Sequence, residues 1–305
     1  MIQEQFEISF EQEGERLDKL LGIIYPQLSR SFFQKLIKDG NVLADGHTMK
    51  ASARLSAGQL VTVSIPEAVP TAIEPEDIPL DILYEDDDVL IVNKPKGMVV
   101  HPSAGHSSGT LVNAVLYHCK DSLSGINGEL RPGIVHRIDM DTTGSLIVCK
   151  NDESHRIIAE QIKEHTVRRI YTGICCGNFK EDEGTVDAPI GRHPTNRKRM
   201  MSGAAGGRPA VTHYRVLERF GEYTWMEFRL ETGRTHQIRA HMAGIGHPLL
   251  GDELYGGARK GFGKLQGQCL HAQTIGFIHP SSGAYIEFSA PLPEYFLRVI
   301  TRLEN

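Results

Sequence analysis

The sequence predicts a chain of mixed helices and strands, divided into a small amino-terminal domain and a larger second one. Three observations carry that expectation. A length of 305 residues leaves room for a large domain with a well-buried core plus a small companion. Short apolar runs of strand type, such as residues 88–93 and 145–149, are interleaved with segments whose apolar residues recur at helical spacing. Between the two regions, Pro66, Pro70, Pro75 and Pro79 punctuate an acidic stretch whose residues 67–88 hold nine acids and no Lys or Arg. That composition reads as an extended, semi-rigid connection. The expected divisions are residues 1–70, a linker at 71–84, and residues 85–305.

Composition narrows the class. With 40% hydrophobic and 23% charged residues the chain reads as an ordinary globular protein. Its net charge of −5 does not announce a polyanion binder, but the charge is unevenly spread. Residues 16–54 carry seven Lys/Arg against three acids, and residues 192–215 carry six with none. Such blocks can grip a polyanion locally. The five cysteines are odd in number and form no C-x-x-C pair, which points away from a disulfide framework or a zinc ribbon. The first fifteen residues lack the basic and apolar regions of a signal peptide, and no apolar run approaches the roughly 20 residues of a membrane span. A cytoplasmic protein is expected, with no membrane association.

The elements follow in order. Residues 2–10 alternate loosely, as an edge strand would. Leu17, Leu20, Leu21 and Ile24 mark a helix ended by Pro26. Ser29 is placed to cap a second helix over 30–38, whose apolar stripe is Phe32, Phe33, Leu36 and Ile37, closed by Gly40. Residues 41–44, an Asp45-Gly46 hairpin turn and residues 59–65 read as short strands. In the second region a strand at 88–93 leads to a turn at Pro95 and Gly97, then a helix at 111–118. Strand-like runs at 133–135 and 145–149 flank the segment His136-Arg137-Ile138-Asp139-Met140-Asp141-Thr142-Thr143-Gly144. A helix from 151 to about 165, strand runs at 167–173, 210–216 and 225–230, and a final strand complete the reading.

The segment at 136–144 is not how a core strand is written. Burying Asp139 without partners would cost several kcal/mol, on the order usual for a lone carboxylate, so it needs a cation nearby or a reaction to perform. Asp141 is the second carboxylate that could serve. Tyr171 reads on its own as a packed strand residue, and His101, before a proline, as a loop residue. Arg192 to Arg199 reads as a solvated basic loop. His236 and His241 stand five apart with no Glu after the first, which argues against a zinc-protease helix. No dinucleotide G-x-G-x-x-G and no phosphate-binding G-x-x-x-x-G-K-[ST] is present, so no cofactor and no metal are expected.

Several of these motifs together resemble one family. His136 to Gly144 is similar to the His-Arg-Leu-Asp-x-x-Thr-Ser-Gly signature of the RluA-type pseudouridine synthases, with Ile138 for Leu and Thr143 for Ser. Asn93-Lys94-Pro95-x-Gly97 through Val100-His101-Pro102, Arg169-x-Tyr171 (Arg169 in place of Lys), and Gly233-Arg234-Thr235-His236-Gln237-Ile238-Arg239 match further family blocks in the same order. Residues 14–66, with Ser29-Arg30-Ser31, Lys35-Leu36-Ile37, Gly40 and Asp45-Gly46, resemble an S4 RNA-binding domain.

The resemblance implies an α+β fold: a long bent mixed sheet, largely antiparallel with flanking helices, plus the small S4 domain. It implies a cofactor-free isomerisation of uridine in RNA, with Asp139 at the sugar, Arg234 paired to it to keep it ionised, and Tyr171 against the base. Arg137 would help extrude the uridine, and Ile238 would line the base pocket. Arg16, Arg30, Lys35, Lys38, Arg197, Lys198 and Arg199 become candidates for RNA phosphates. S4 plus catalytic domain resembles the RluD and RluC type, which implies large-subunit ribosomal RNA. A transfer RNA, or a non-catalytic ribosome assembly role, is the alternative. A monomer is expected.

Overall fold

The computed structural model describes residues 2–26, 28, 30–65, 73–103, 105–120, 122–124, 132–259, 261–262 and 265–305. Ser29, Pro66, Pro70, the 70/71 division and most of residues 121–131 lie outside the described residues. The chain falls into two compact units, Met1–Thr71 and Ala72–Asn305. Among the described residues no helix is long and apolar enough to cross a membrane.

The small unit runs β1 (Ile2–Glu7), α1 (Leu17–Ile24), α2 (Arg30–Lys38), β2 (Val42–Ala44), β3 (His47–Thr48) and β4 (Leu60–Ile65). Its antiparallel sheet has the order β1-β4-β2-β3, so β1 is an edge strand as its loose alternation suggests. Asp45 and Gly46 both adopt positive φ, the backbone of a tight two-residue hairpin turn. Leu17, Leu20 and Leu21 of α1 and Phe33, Leu36 and Ile37 of α2 bury their stripes against Val42, Val61 and Val63. Each such burial contributes about 1.5–3 kcal/mol.

The large unit contains β5 (Ile82–Glu85), β6 (Val89–Lys94), α3 (Leu111–Cys119), β7 (Thr143–Cys149), α4 (Asp152–Lys163), β8 (Arg168–Cys176), β9 (Glu183–Asp187), β10 (Ile190–Arg192) and β11 (Met200–Ser202). It continues with β12 (Val211–Phe220), β13 (Tyr223–Leu230), α5 (Gln237–Gly244), a 3-10 turn (Glu253–Tyr255), β14 (Leu270–Ile278), β15 (Tyr285–Ser289) and α6 (Glu294–Glu304). Its main sheet has the order β5-β6-β7-β14-β8-β13-β12-β9, with β15 sharing an edge of β14. Every pairing is antiparallel except β7 with β14, which meet over two residue pairs, Thr143–His271 and Gly144–Ala272. A mixed, largely antiparallel sheet with flanking helices is therefore present.

The strand period sorts the two layers. Leu90, Val92, Leu146 and Val148 face one core with Leu111, Val112 and Val115 of α3. Their neighbours Val89, Ile91, Ile147 and Cys149 face the opposite core with Ile158 of α4. Cys175 and Cys176 are buried and unbridged on opposite faces of β8.

Three expectations about the elements need correction. Residues 133–135 form no strand; Ile134 makes a single bridge to Val148. The chain ends in a helix, because Phe296, Val299 and Ile300 recur at helical spacing and bury against Ile174 and Cys176. The described part of the stretch expected as a linker belongs to the large unit: Asn113 receives Glu76 N–H on its carbonyl and donates its side chain to Glu74 O, and β5 begins at Ile82.

Candidate active site

The loop carrying Asp139 is fastened at nearly every residue. β7 is edged by β14 only at its first two residues, so its later edge is free for the chain just before the loop. Ile147 N–H donates to His136 Nε2 at 2.9 Å. Burial, helped by Arg169, pushes the His136 pKa down to about 3, so the ring stays neutral and accepts. Met140 O receives Gly97 N–H at 3.0 Å and Lys94 Nζ at 2.9 Å. Lys94 is fully buried, and its other two donors reach Pro95 O and Met98 O. Gln268 donates to Thr142 Oγ1 at 3.0 Å, and Thr143 Oγ1 lies 2.8 Å from His271 Nδ1. At the end of the loop Gly144 has φ +111°, and a Cβ there would lie 2.2 Å from Ala272 O. Only glycine fits the seam between β7 and β14.

Asp139 is thereby presented with its side chain 18% exposed. Its cation is Arg239, which corrects the pairing expected for Arg234. Arg239 Nη1 donates to Asp139 Oδ2 at 2.9 Å, while Nε and Nη2 donate to Asp252 at 2.7 and 3.0 Å. The reason is where α5 starts. Arg234 precedes the helix, its N–H bonded to Gln237 Oε1 and its Nε to Pro209 O. Arg239 lies within the first turn and is 8% exposed. Burial alone would lower its pKa, but the two carboxylates raise it.

His236 adopts left-handed backbone at the head of α5. Its Nδ1 lies 3.1 Å from Tyr255 Oη, which itself receives Met200 N–H. Its Nε2 lies 3.9 Å from Asp139 Oδ1.

Asp139 opens onto a cavity of about 520 Å³. Tyr171, Leu230, Ile238 and Leu270, all buried, give it an apolar wall. Burial raises the Tyr171 pKa, so its hydroxyl is retained as a neutral phenol. Exposed Arg137 stands beside His101, which lines the same cavity, at 3.3 Å. Asp141 lines a different cavity with Gln266, Gly267 and Gln268. The two carboxylates thus line different cavities, and Asp139 is the one hydrogen-bonded to Arg239 and beside an apolar wall. Arg239, Asp252 and Tyr255 were not singled out from the sequence as site groups, although Arg239 closes the motif at 233–239 quoted above.

The expected RNA contacts divide in two. Arg16 and Arg30 both grip the buried carboxylate of Asp18, at 3.0–3.1 Å, joined by Gln34 at 2.7 Å. Lys35 and Lys38 are exposed on α2. In the large unit Arg197 and Lys198 are exposed between β10 and β11, whereas Arg199 lies over the Tyr255 ring at 5.0 Å. His241 does not join His236: its nitrogens face Thr212 Oγ1 and Ala188 O at 2.9 Å.

Known proteins resemble this chain in sequence and fold. The RNA pseudouridylate synthase family matches residues 88–244, and the S4 domain matches residues 15–61. The uncharacterized RNA pseudouridine synthase YlyB of Bacillus subtilis is 50% identical over 297 residues, covering 97% of each chain. Ribosomal large subunit pseudouridine synthase D of Zymomonas mobilis is 46% identical over 303 residues, covering 96% of this chain and 95% of that one. The solved structure of human RNA Pseudouridylate Synthase Domain Containing 1 shares the fold, with a TM-score of 0.56, 24% identity, and coverage of 77% of this chain and 97% of that one.

Proposed function

The chain belongs to the RNA pseudouridylate synthase family, and on that premise we propose that it converts uridine to pseudouridine in large-subunit ribosomal RNA, with Asp139 as the carboxylate at the sugar. The reaction breaks the N1–C1′ bond, turns the base and joins C5 to C1′. It needs an ionised carboxylate, a pocket for an extruded base and exclusion of water. The observation that carries the reading is the 2.9 Å pair between Arg239 and Asp139 at a cavity with one apolar wall.

Tyr171 offers its ring to the extruded base, a contact worth about 1–3 kcal/mol, and Ile238 packs beside it. Arg137, exposed at the rim, fills the space the uridine leaves; flipping costs a few kcal/mol and is cheapest in loops. Lys35, Lys38, Arg197 and Lys198 meet phosphates, with Arg16 and Arg30 doing so through whatever donors Asp18 leaves them. Arg234, at the cavity rim, belongs with this group. The ribosomal target rests on the relatives named ribosomal large subunit pseudouridine synthase D. Such a substrate would be met in the cytoplasm.

The test is tritium release from C5-labelled uridine in protein-free large-subunit ribosomal RNA, with transfer RNA alongside. Release by wild type and none by Asp139→Ala is expected. Release by both would remove Asp139 from the chemistry, and release from transfer RNA alone would move the target.

A further inference from the structure

Two arginines that line the cavity are buried, and they are treated oppositely. Arg239 faces two carboxylates. Arg169, 6% exposed, has no carboxylate within salt-bridge distance among the described residues. Its Nη2 donates to Glu231 O at 3.0 Å, and its Nε is buried without a partner. The guanidinium packs on Gly233, where a Cβ would lie 2.6 Å from Nη1. The groups it senses are Tyr171, a neutral phenol, Arg234, a second cation, and His136, a neutral ring. None supplies negative charge. A buried, uncompensated guanidinium is costly, by several kcal/mol in general, and its Nε–H is a spare donor.

We infer that Arg169 is a catalytic residue whose guanidinium stabilises the uracil anion formed when the N1–C1′ bond breaks. The inference rests on the reading of Asp139 as the carboxylate at the sugar. In that step the bonding electron pair stays on N1 and spreads to O2 and O4, while Asp139 answers the electron deficiency at C1′. The base then turns, C5 uses the pair to bond C1′, the C5 proton leaves to solvent, and N1 takes a proton from solvent. Phosphates are the other anions of the substrate, but the exposed cations of the cavity, Arg137 and Lys163, stand where a backbone can reach them. Arg169 instead sits two residues from Tyr171 on the same face of β8, where the base is held.

The test uses the full chain and C5-tritiated ribosomal RNA under single turnover, with Arg169→Met, Arg169→Gln and Arg169→Lys. The neutral variants are expected to slow the limiting rate about 100-fold at saturating enzyme, the range for removing one preorganised donor, with RNA affinity nearly unchanged. Arg169→Lys should be intermediate. On RNA carrying 5-fluorouridine, whose fluorine itself stabilises the base anion, the defect in N1–C1′ cleavage should narrow. That cleavage is followed by nucleoside chromatography.

Full rate in a folded neutral variant overturns the inference. So does a defect that saturating enzyme repairs, which would mark a phosphate contact, or one equal on both bases, which would mark a structural role. If neither neutral variant folds, Arg169→Lys decides: slowed on uridine and less so on 5-fluorouridine supports the assignment, and wild-type rate on both overturns it. A wild type that releases no tritium, or an Asp139→Ala variant that does, instead removes the reading on which the inference rests.

Discussion

Asp252 accepts two hydrogen bonds from Arg239, at 2.7 and 3.0 Å, and so turns Nη1 of the same guanidinium toward Asp139. Asp252→Asn preserves shape and removes the charge that anchors this orientation. Turnover should fall roughly 10- to 100-fold, as expected for a reacting group displaced by about an ångström, while RNA affinity holds. Steady-state kinetics beside filter binding would check this; wild-type turnover would reduce Asp252 to architecture.

Arg234 and Arg239 should separate cleanly. Arg239→Met leaves two carboxylates facing one another without their cation, which should cost about 3–5 kcal/mol of stability and abolish isomerisation. Arg234→Met leaves the Asp139 pair intact and should weaken RNA binding with little change in stability. Urea unfolding of the two variants decides, and the opposite ranking would restore Arg234 as the partner.

His136 gives the large unit an acid response. The unfolded chain takes up a proton near pH 6.5 that the folded chain refuses down to about 3. The stability held by the neutral ring is complete above the unfolded value and declines as pH falls below it, by at most about 1.4 kcal/mol per pH unit. His136→Gln offers a side-chain oxygen to Ile147 N–H and should flatten that slope. Identical slopes between roughly pH 5 and 7 would assign the acid response elsewhere.

Asp18 gives the small unit a response in a lower window. Arg16 first, then Gln34 and Arg30, hold its carboxyl well below the usual carboxylate range against the opposing effect of burial. The stability from this cluster is present above the unfolded value of about 3.9 and is lost as pH falls beneath it. Asp18→Asn should cost about 1.5–3 kcal/mol, the worth of a hydrogen bond to a charged group. Hydrogen exchange in α1 and α2 of the full chain is the measurement, and unchanged protection would count against the cluster.

Much of the fold was legible because strand and helix periods are written plainly in runs such as Leu90 to Val92 and Phe33 to Ile37. The motif at 136–144 was legible as chemistry because no packing role suits its polar residues. Choosing between Arg234 and Arg239 was not possible from spacing, since it depends on where α5 begins and on Asp252, which arrives thirteen residues later. Arg16 and Arg30 were only half legible for a related reason. A cluster of arginines reads as a phosphate surface, and the spacing does not show the buried carboxylate of Asp18 that these two share. The stretch around Glu74 and Glu76 has a linker's composition, yet its backbone is bonded to the side chain and the backbone carbonyl of one residue, Asn113, on a distant helix.

The seam at Gly144 and Ala272 also sets a timetable. Asp139 meets a cation 100 positions downstream, and Thr143 meets a histidine 128 positions downstream. Contacts so remote in sequence form late, after local helices and hairpins. During synthesis the amino-terminal unit can fold and hold RNA long before the carboxylate has its partner. A nascent chain is therefore expected to bind before it can react, and to remain inert toward every RNA, that of the ribosome making it included, until β14 has emerged.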